Sequence, residues 1–168
     1  MITAYHRPQT VDEALALLTQ PDALPLGGGT LLTQPGTDSV QVVDLQALGL
    51  DSLNKKGGDL EIGATCTLQA LLESPHCPPS LKIAIKLEAP INIRNSSTVA
   101  GTLVASDGRS TFAATLLSLD AKLTIDRRPQ TADGLLSTVL GLGEFLPLRS
   151  RGLITSMTIP LNTKFAFE

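Results

Sequence analysis

Short apolar runs closed by proline or glycine alternate along this chain with stretches of helical spacing. Thr3 to Tyr5 reads as a short strand ended by Pro8. Thr10-Val11-Asp12-Glu13 has the form of a capping box, in which the Thr10 hydroxyl takes an amide one turn on and Glu13 reaches back. Val11, Ala14, Leu15 and Leu18 follow at helical spacing, giving one apolar face, and Pro21 ends that helix. Leu24-Pro25-Leu26 is a second strand, running into Gly27-Gly28-Gly29-Thr30 and a helix-compatible run beyond. Val40 to Leu45 is a third, and the adjacent Val42 and Val43 point to burial on both faces. The succession predicts a small parallel βαβ lobe over residues 1–56.

Asn54-Lys55-Lys56-Gly57-Gly58-Asp59 is polar and glycine-rich, and it reads as a turn between lobes. The second lobe then runs over 57–168. Leu60 to Ala64 is a strand. Thr67 caps a short helix carrying Leu68, Leu71 and Leu72, broken by Pro75, Pro78 and Pro79. Leu81 to Leu87 is helix-compatible up to Pro90. Phe112 to Leu119 is a helix, Leu123 to Ile125 a strand, and Leu153 to Ile159 a last alternating strand stopped by Pro160. This half is expected to be a mostly antiparallel sheet with helices, so the class is α+β.

Composition narrows the functions. A chain of 168 residues with 42% hydrophobic content buries a core without disulfide staples. Aromatics are scarce, so that core is aliphatic. The net charge of −3, with no basic run beyond Lys55-Lys56 or Arg127-Arg128, argues against a nucleic-acid partner. No apolar run approaches membrane-spanning length and no signal peptide is visible, so the expectation is a cytoplasmic protein without a membrane partner. Two cysteines, Cys66 and Cys77, with His76 beside one of them, fall short of a metal-ligand set, and no metal site is expected.

Candidate chemistry concentrates in two segments. Leu26-Gly27-Gly28-Gly29-Thr30-Leu31-Leu32 combines residues that let a ligand approach the main chain with a hydroxyl beside exposed amides, a combination that cradles a diphosphate. The same residues also serve as a plain tight turn. Thr98-Val99-Ala100-Gly101-Thr102, read as a second turn, offers a matching half-site. Neither segment is a phosphate loop ending in Gly-Lys-Ser/Thr, and no Gly-x-Gly-x-x-Gly occurs, so an ATPase or a nicotinamide-binding domain is excluded on motif grounds. Ser106-Asp107 reads as a turn or cap, Asp120 as a cap or ion pair, and Arg94 as ordering its own loop.

The ordered set of motifs resembles the FAD-binding domain of the flavoprotein (medium) subunits of molybdenum hydroxylases, a family that includes xanthine dehydrogenase and aerobic carbon monoxide dehydrogenase. The resemblance is carried by Ala4-Tyr5-His6-Arg7-Pro8 with Asp12-Glu13-Ala14-Leu15-Ala16-Leu17-Leu18, by Leu26 to Thr30, and by Val42-Val43-Asp44-Leu45 and Leu60 to Ala64. It continues through Ile93-Arg94-Asn95 to Gly101, Leu116 to Ala121, Gly152 to Thr155 and Ile159-Pro160. It implies a two-lobed FAD-binding fold of the molybdenum-hydroxylase flavoprotein and vanillyl-alcohol-oxidase type. It implies FAD as cofactor, the diphosphate between Leu26–Leu32 and Thr98–Thr102, and Thr111 and Ile154 near the ribityl chain or ring. It implies no catalytic acid or base of the protein's own, and two partners, an iron–sulfur small subunit delivering electrons and a molybdopterin-binding large subunit.

Departures from the family pattern stand at Leu31, Ala100, Thr102 and Thr111, where the family prefers Asp or Asn, Gly, Asn and Asp. Only Leu161 to Glu168 follow Pro160, where family subunits continue into a C-terminal domain. Two readings follow: an electron-transfer flavoprotein subunit or fragment holding FAD weakly, and a divergent paralogue that kept the fold as a scaffold and lost the cofactor.

Overall fold

Thr10 caps helix α1, Val11–Leu17, and both arms of the capping box form between Thr10 and Glu13. The structure is a computed structural model that describes residues 1–30, 39–128, 134–148 and 152–162. Three strands flank α1 in sequence: β1 (Ile2–His6) before it, β2 (Ala23–Leu26) and β3 (Val40–Asp44) after it. They form a parallel sheet of order β1-β3-β2. Val42 and Val43 of the central strand are both buried, as their adjacency predicts. Val43 meets Ala14 and Leu15 of α1 in a small apolar core.

The second sheet has five strands in the order β4-β5-β8-β6-β7, every pair antiparallel. These are β4 (Leu53–Lys56), β5 (Asp59–Gly63), β6 (Lys122–Arg127), β7 (Leu136–Gly141) and β8 (Leu153–Pro160). Leu60 and Ile62 on β5, and Leu123 and Ile125 on β6, alternate with more exposed neighbours and present one apolar face. Helices pack on that face: α2 (Leu68–Glu73), α3 (Pro79–Glu88), α5 (Val99–Ala105), α6 (Thr111–Ser118) and α7 (Leu142–Leu148), while the short α4 (Ile91–Arg94) buries no residue and lies against α2. The core between them holds Leu71, Leu81, Ile85, Leu103, Phe112 and Leu116, all fully buried. The α+β class and the pairing of a small parallel sheet with a larger antiparallel one stand as expected.

The lobe boundary expected at Gly57 does not fall there. Gly57 and Gly58 are the turn of the β4–β5 hairpin, whose strands pair Lys56 with Asp59 in one sheet. Gly57 takes φ +60, which suits glycine in such a turn. The change of sheet comes earlier, between the end of β3 at Asp44 and the start of β4 at Leu53. The two cores also touch. A register shift in the β6–β8 pairing turns Leu153 into the small core beside Val43, while its neighbour Ile154 enters the large one.

Candidate functional site

The glycine loop leaves the C-terminal end of β2, the side of a parallel sheet where ligands gather. Leu26 O accepts the Leu45 amide at 3.0 Å, and Gly27 O accepts from Gln46 Nε2 at 3.3 Å. Gln46 is itself fixed, its amide donating to Asp44 Oδ1 at 3.0 Å. Asp44 is buried at 3% exposure, receives the Tyr5 hydroxyl, and lies 3.5 Å from Arg7 Nε. That hydrogen bond to Asp44 is the main cause that raises the Tyr5 phenol above its ordinary value. The Val42-Val43-Asp44-Leu45 stretch thus sets the base of the loop.

The two candidate segments meet. A Cβ on Gly27 would lie 2.6 Å from Thr98 Oγ1, and one on Gly28 would lie 1.6 Å from Ser96 O. A Cβ on Gly101 would lie 2.7 Å from the same Thr98 hydroxyl. Glycine at 27, 28 and 101 is what lets loop, hydroxyl and helix come together. Among the described residues the amides of Gly27, Gly28 and Gly29 have no acceptor.

The second segment departs from its expected form. Thr98–Thr102 is not an open turn but the N-cap and first turn of α5. Its amides are satisfied within the protein: Val99 N on Cys66 O at 2.8 Å, Ala100 N on Ala64 O at 3.1 Å, Gly101 N on Thr98 Oγ1 at 3.2 Å and Thr102 N on Thr98 O at 2.8 Å. Starting a helix here spends the amides that a phosphate would take. What remains to a ligand on this side is hydroxyl and carbonyl groups.

Two open grooves of about 490 Å³ each lie on either side of the contact. The first is walled by Thr30, Glu88, Ser97, Thr102, Ser110 and Thr111 among others, the second by Gly27, Gly28, Thr67, Asn95, Ser96 and Thr98. The glycine loop therefore runs from one groove into the other. Gly101 also lines the first groove. Gly27, Gly28 and Gly29 form a ridge between the grooves that follows Leu26, and Gly29 takes φ +73. Leu31 and Leu32 lie outside the described residues.

Val99, Ala100 and Ile154, named from sequence, line neither groove. Val99 is fully buried, and Ile154 pairs with Ile125 inside the large core; neither lines a groove. Ile154 faces inward because it sits on the covered face of a strand between β5 and β6. Ala100 is half-buried and lines neither groove. Thr111 does line the first groove, with its hydroxyl 3.1 Å from both Ala84 O and Glu88 Oε2. Arg94 orders its surroundings as expected, donating to Gln69 Oε1 at 3.0 Å and Ala89 O at 2.8 Å. Asp107 is a turn residue whose carboxyl the Arg109 amide, and then its guanidinium, hold below the usual range.

Sequence reasoning missed Glu88 and Gln46. Glu88 is the only acid of α3 and carries no motif; its partners lie 22 to 24 residues on. Gln46 follows Val42-Val43-Asp44-Leu45 directly, and that adjacency was the available signal.

Among the described residues no group of His, Cys, Asp and Glu is placed to hold a metal ion. Cys66 and Cys77 are free and buried, and burial pushes their thiols from 9.0 up to about 11 and about 12. The expected result is that neither reacts with a disulfide reagent at about pH 8 in the folded protein, because the thiolate is the nucleophile. Any stability these thiols contribute is present below their unfolded value and is lost as pH rises through about 11 and about 12. Thiol counting with and without denaturant checks both; rapid labelling of the native protein contradicts them.

With this geometry in view, the comparisons place the chain. A family model described as "FAD binding domain in molybdopterin dehydrogenase" matches residues 1–162, and the chain belongs to that family. It is 35% identical over 127 residues to the "Uncharacterized protein YgfM" of Escherichia coli (strain K12), covering 73% of this chain and 49% of that one. It is 34% identical over 128 residues to the carbon monoxide dehydrogenase medium chain of Afipia carboxidovorans, covering 70% and 44%. Its fold matches a chain of the crystal structure of the Cu,Mo-CO dehydrogenase in its cyanide-inactivated form, with TM-score 0.79 and 28% identity, over 95% of this chain and 59% of that one. The chain spans about half the length of the curated relatives it matches. FAD is the cofactor of this family.

Proposed function

We propose that this chain holds FAD by its diphosphate on the Gly27–Gly29 ridge and serves as the electron-transfer flavoprotein part of a molybdenum-hydroxylase-type oxidoreductase. The observation that carries the reading is the run of three acceptor-free amides, packed against the Thr98 hydroxyl at Gly27 and against Ser96 O at Gly28, with a groove on each side. The donor set fits the group: an anionic diphosphate takes main-chain amides and hydroxyl protons, and the two grooves give its flanking halves separate room. Thr98 keeps its own proton available, since its oxygen accepts the Gly101 amide. FAD, when bound, supplies the redox chemistry. The protein binds it, orients it across the ridge and fixes the ridge through Asp44 and Gln46.

The wider assignment rests on the family and on relatives named as medium chains of carbon monoxide dehydrogenase. In this reading electrons arrive from an iron–sulfur small subunit, the substrate is oxidised on a molybdopterin-binding large subunit, and the assembly works in the cytoplasm. No helix among the described residues is long and apolar enough to cross a membrane. The family match and the open amides favour this over a scaffold that has lost its cofactor.

Binding is expected to be weak. Thr102 and Thr111 spend their hydroxyl protons on the protein itself, and α5 closes its amides to the ligand. Titrating FAD into the purified chain, followed by flavin fluorescence, is expected to show saturable binding. A folded protein with no saturation up to about 1 mM FAD, a binding free energy near −4 kcal/mol, contradicts the flavoprotein reading.

A further inference from the structure

The two grooves differ in hydrogen-bonding sense. In the first, four of the lining hydroxyls have given their protons away: Thr102 to Thr98 O at 2.8 Å, Ser106 to Leu103 O at 2.7 Å, Ser110 to Glu88 Oε1 at 3.0 Å, and Thr111 to Ala84 O or Glu88 Oε2, both at 3.1 Å. What these oxygens offer a ligand is lone pairs. Glu88 is the centre of the arrangement. From the end of α3 it takes Ser110 Oγ, Thr111 Oγ1 and the Phe112 amide, the last at 2.9 Å, and so ties down the start of α6. The other acid of this lining, Asp107, is paired with Arg109 at 2.9 Å, which leaves Glu88 as the unbalanced charge. Ser110 also accepts the Ala113 amide at 3.0 Å, so its orientation is fixed from both sides.

The second groove has the opposite sense. It borders the acceptor-free amides of Gly27 and Gly28, and the Thr67 and Thr98 oxygens there accept amides from Ala70 and Gly101, which leaves their protons for a ligand. Asp51 at its margin is the one charged residue of that lining.

We propose that Glu88 is the specificity determinant of the first groove: by absorbing the Ser110 and Thr111 protons it makes that groove an acceptor surface that seats the hydroxyl-bearing sugar or polyol segment of the ligand and confines the diphosphate to the glycine ridge. A hydroxyl group donates to such lone pairs, whereas a phosphate has only acceptors and negative charge to bring against Glu88. The apolar Leu87, Ala89 and Ile93 on the same wall suit a flat ring next to that segment. The inference rests on the FAD reading, and FAD carries hydroxyls on both halves: the ribose beside adenine and the ribityl chain beside the flavin.

Glu88→Gln tests it. The amide keeps one acceptor for Thr111 and Phe112, and its NH2 now donates to Ser110, which turns the Ser110 proton toward the groove. Wild type, Glu88→Gln and Glu88→Asp are titrated with FAD, ADP and FMN, by fluorescence for the flavins and by heat for ADP, with melting temperature as the check on folding. Glu88→Gln is expected to weaken FAD about tenfold and to weaken one fragment by the same factor while the other changes by less than about twofold. Loss of ADP assigns the ribose to the groove; loss of FMN assigns the ribityl chain. Glu88→Asp keeps the charge and is expected to retain more affinity than the glutamine variant; it carries the comparison if Glu88→Gln fails to fold. A wild type that binds FAD and a glutamine variant that binds FAD, ADP and FMN equally well overturn this proposal and leave the FAD reading standing. Equal losses for ADP and FMN overturn it as well. A wild type that binds no FAD overturns both.

Discussion

Gly28→Ala is expected to lower FAD affinity by at least about a hundredfold, or ~2.7 kcal/mol, and to destabilise the fold. The added Cβ would sit 1.6 Å from Ser96 O, 2.5 Å from its carbonyl carbon and 3.2 Å from Ser97 Cα. All three are backbone atoms, so no side chain can rotate away. A carbon contact settles at about 3.5 Å, so loop and segment must part by roughly 2 Å. Ser97 and Thr98 are buried and held by the Leu68 N to Ser97 O bond at 2.9 Å, so the loop is the part that yields. Overpacking of this kind costs about 1–3 kcal/mol of stability, and the displaced ridge takes its amides away from the diphosphate. Gly57→Ala is the comparison: its Cβ meets nothing within 4 Å, and its φ of +60 carries only local strain in the β4–β5 turn. It is expected to lose about 1 kcal/mol of stability and no FAD affinity. FAD titration and thermal melting of the two variants decide the matter; a Gly28→Ala protein that binds FAD like wild type removes the ridge from the site.

Phe112→Ala is expected to destabilise the protein by about 3–5 kcal/mol, a large share of the roughly 5–15 kcal/mol that holds a typical domain. Phe112 is fully buried, packs in the large core with Leu81, Ile85 and Leu116, and occupies the first turn of α6 behind the first groove. Removing its ring leaves a cavity that α3 and α6 cannot close while Glu88 still ties Phe112 N. Phe112→Leu, which restores most of the volume, is expected to cost about 1–1.5 kcal/mol. Urea unfolding of both variants measures the difference. A loss below about 1 kcal/mol for the alanine variant would show that the helices collapse onto the gap.

Local chemistry made much of this fold legible. The Thr10–Glu13 box placed α1, Thr67 placed α2, and the alternation of Leu153 to Ile159 placed β8, because each signal is complete within a few residues. β4 was not legible. Asn54, Lys55 and Lys56 are all exposed, and as an edge strand β4 needs only main-chain pairing with β5, which side-chain pattern does not report. β7 and α7 escaped for a related reason: β7 is the opposite edge with largely exposed side chains, and α7 carries Pro147 inside it. In the site, the glycine loop was legible because its composition is extreme. The closure of the Thr98–Thr102 amides was not, since their acceptors, Cys66 O and Ala64 O, lie on a segment more than thirty residues earlier.

The strand order carries a lesson about synthesis. β8 is the last of the described strands to emerge from the ribosome, yet it lies in the middle of the five-stranded sheet, joining β5 to β6, and its Leu153 completes the small core as well. Until it arrives, β4–β5 and β6–β7 are two separate hairpins with open inner edges, each a template for a wrong partner. Those edges stay open until β8 is made. The five-stranded sheet therefore closes late, and the small core beside Val43 is completed only when Leu153 arrives.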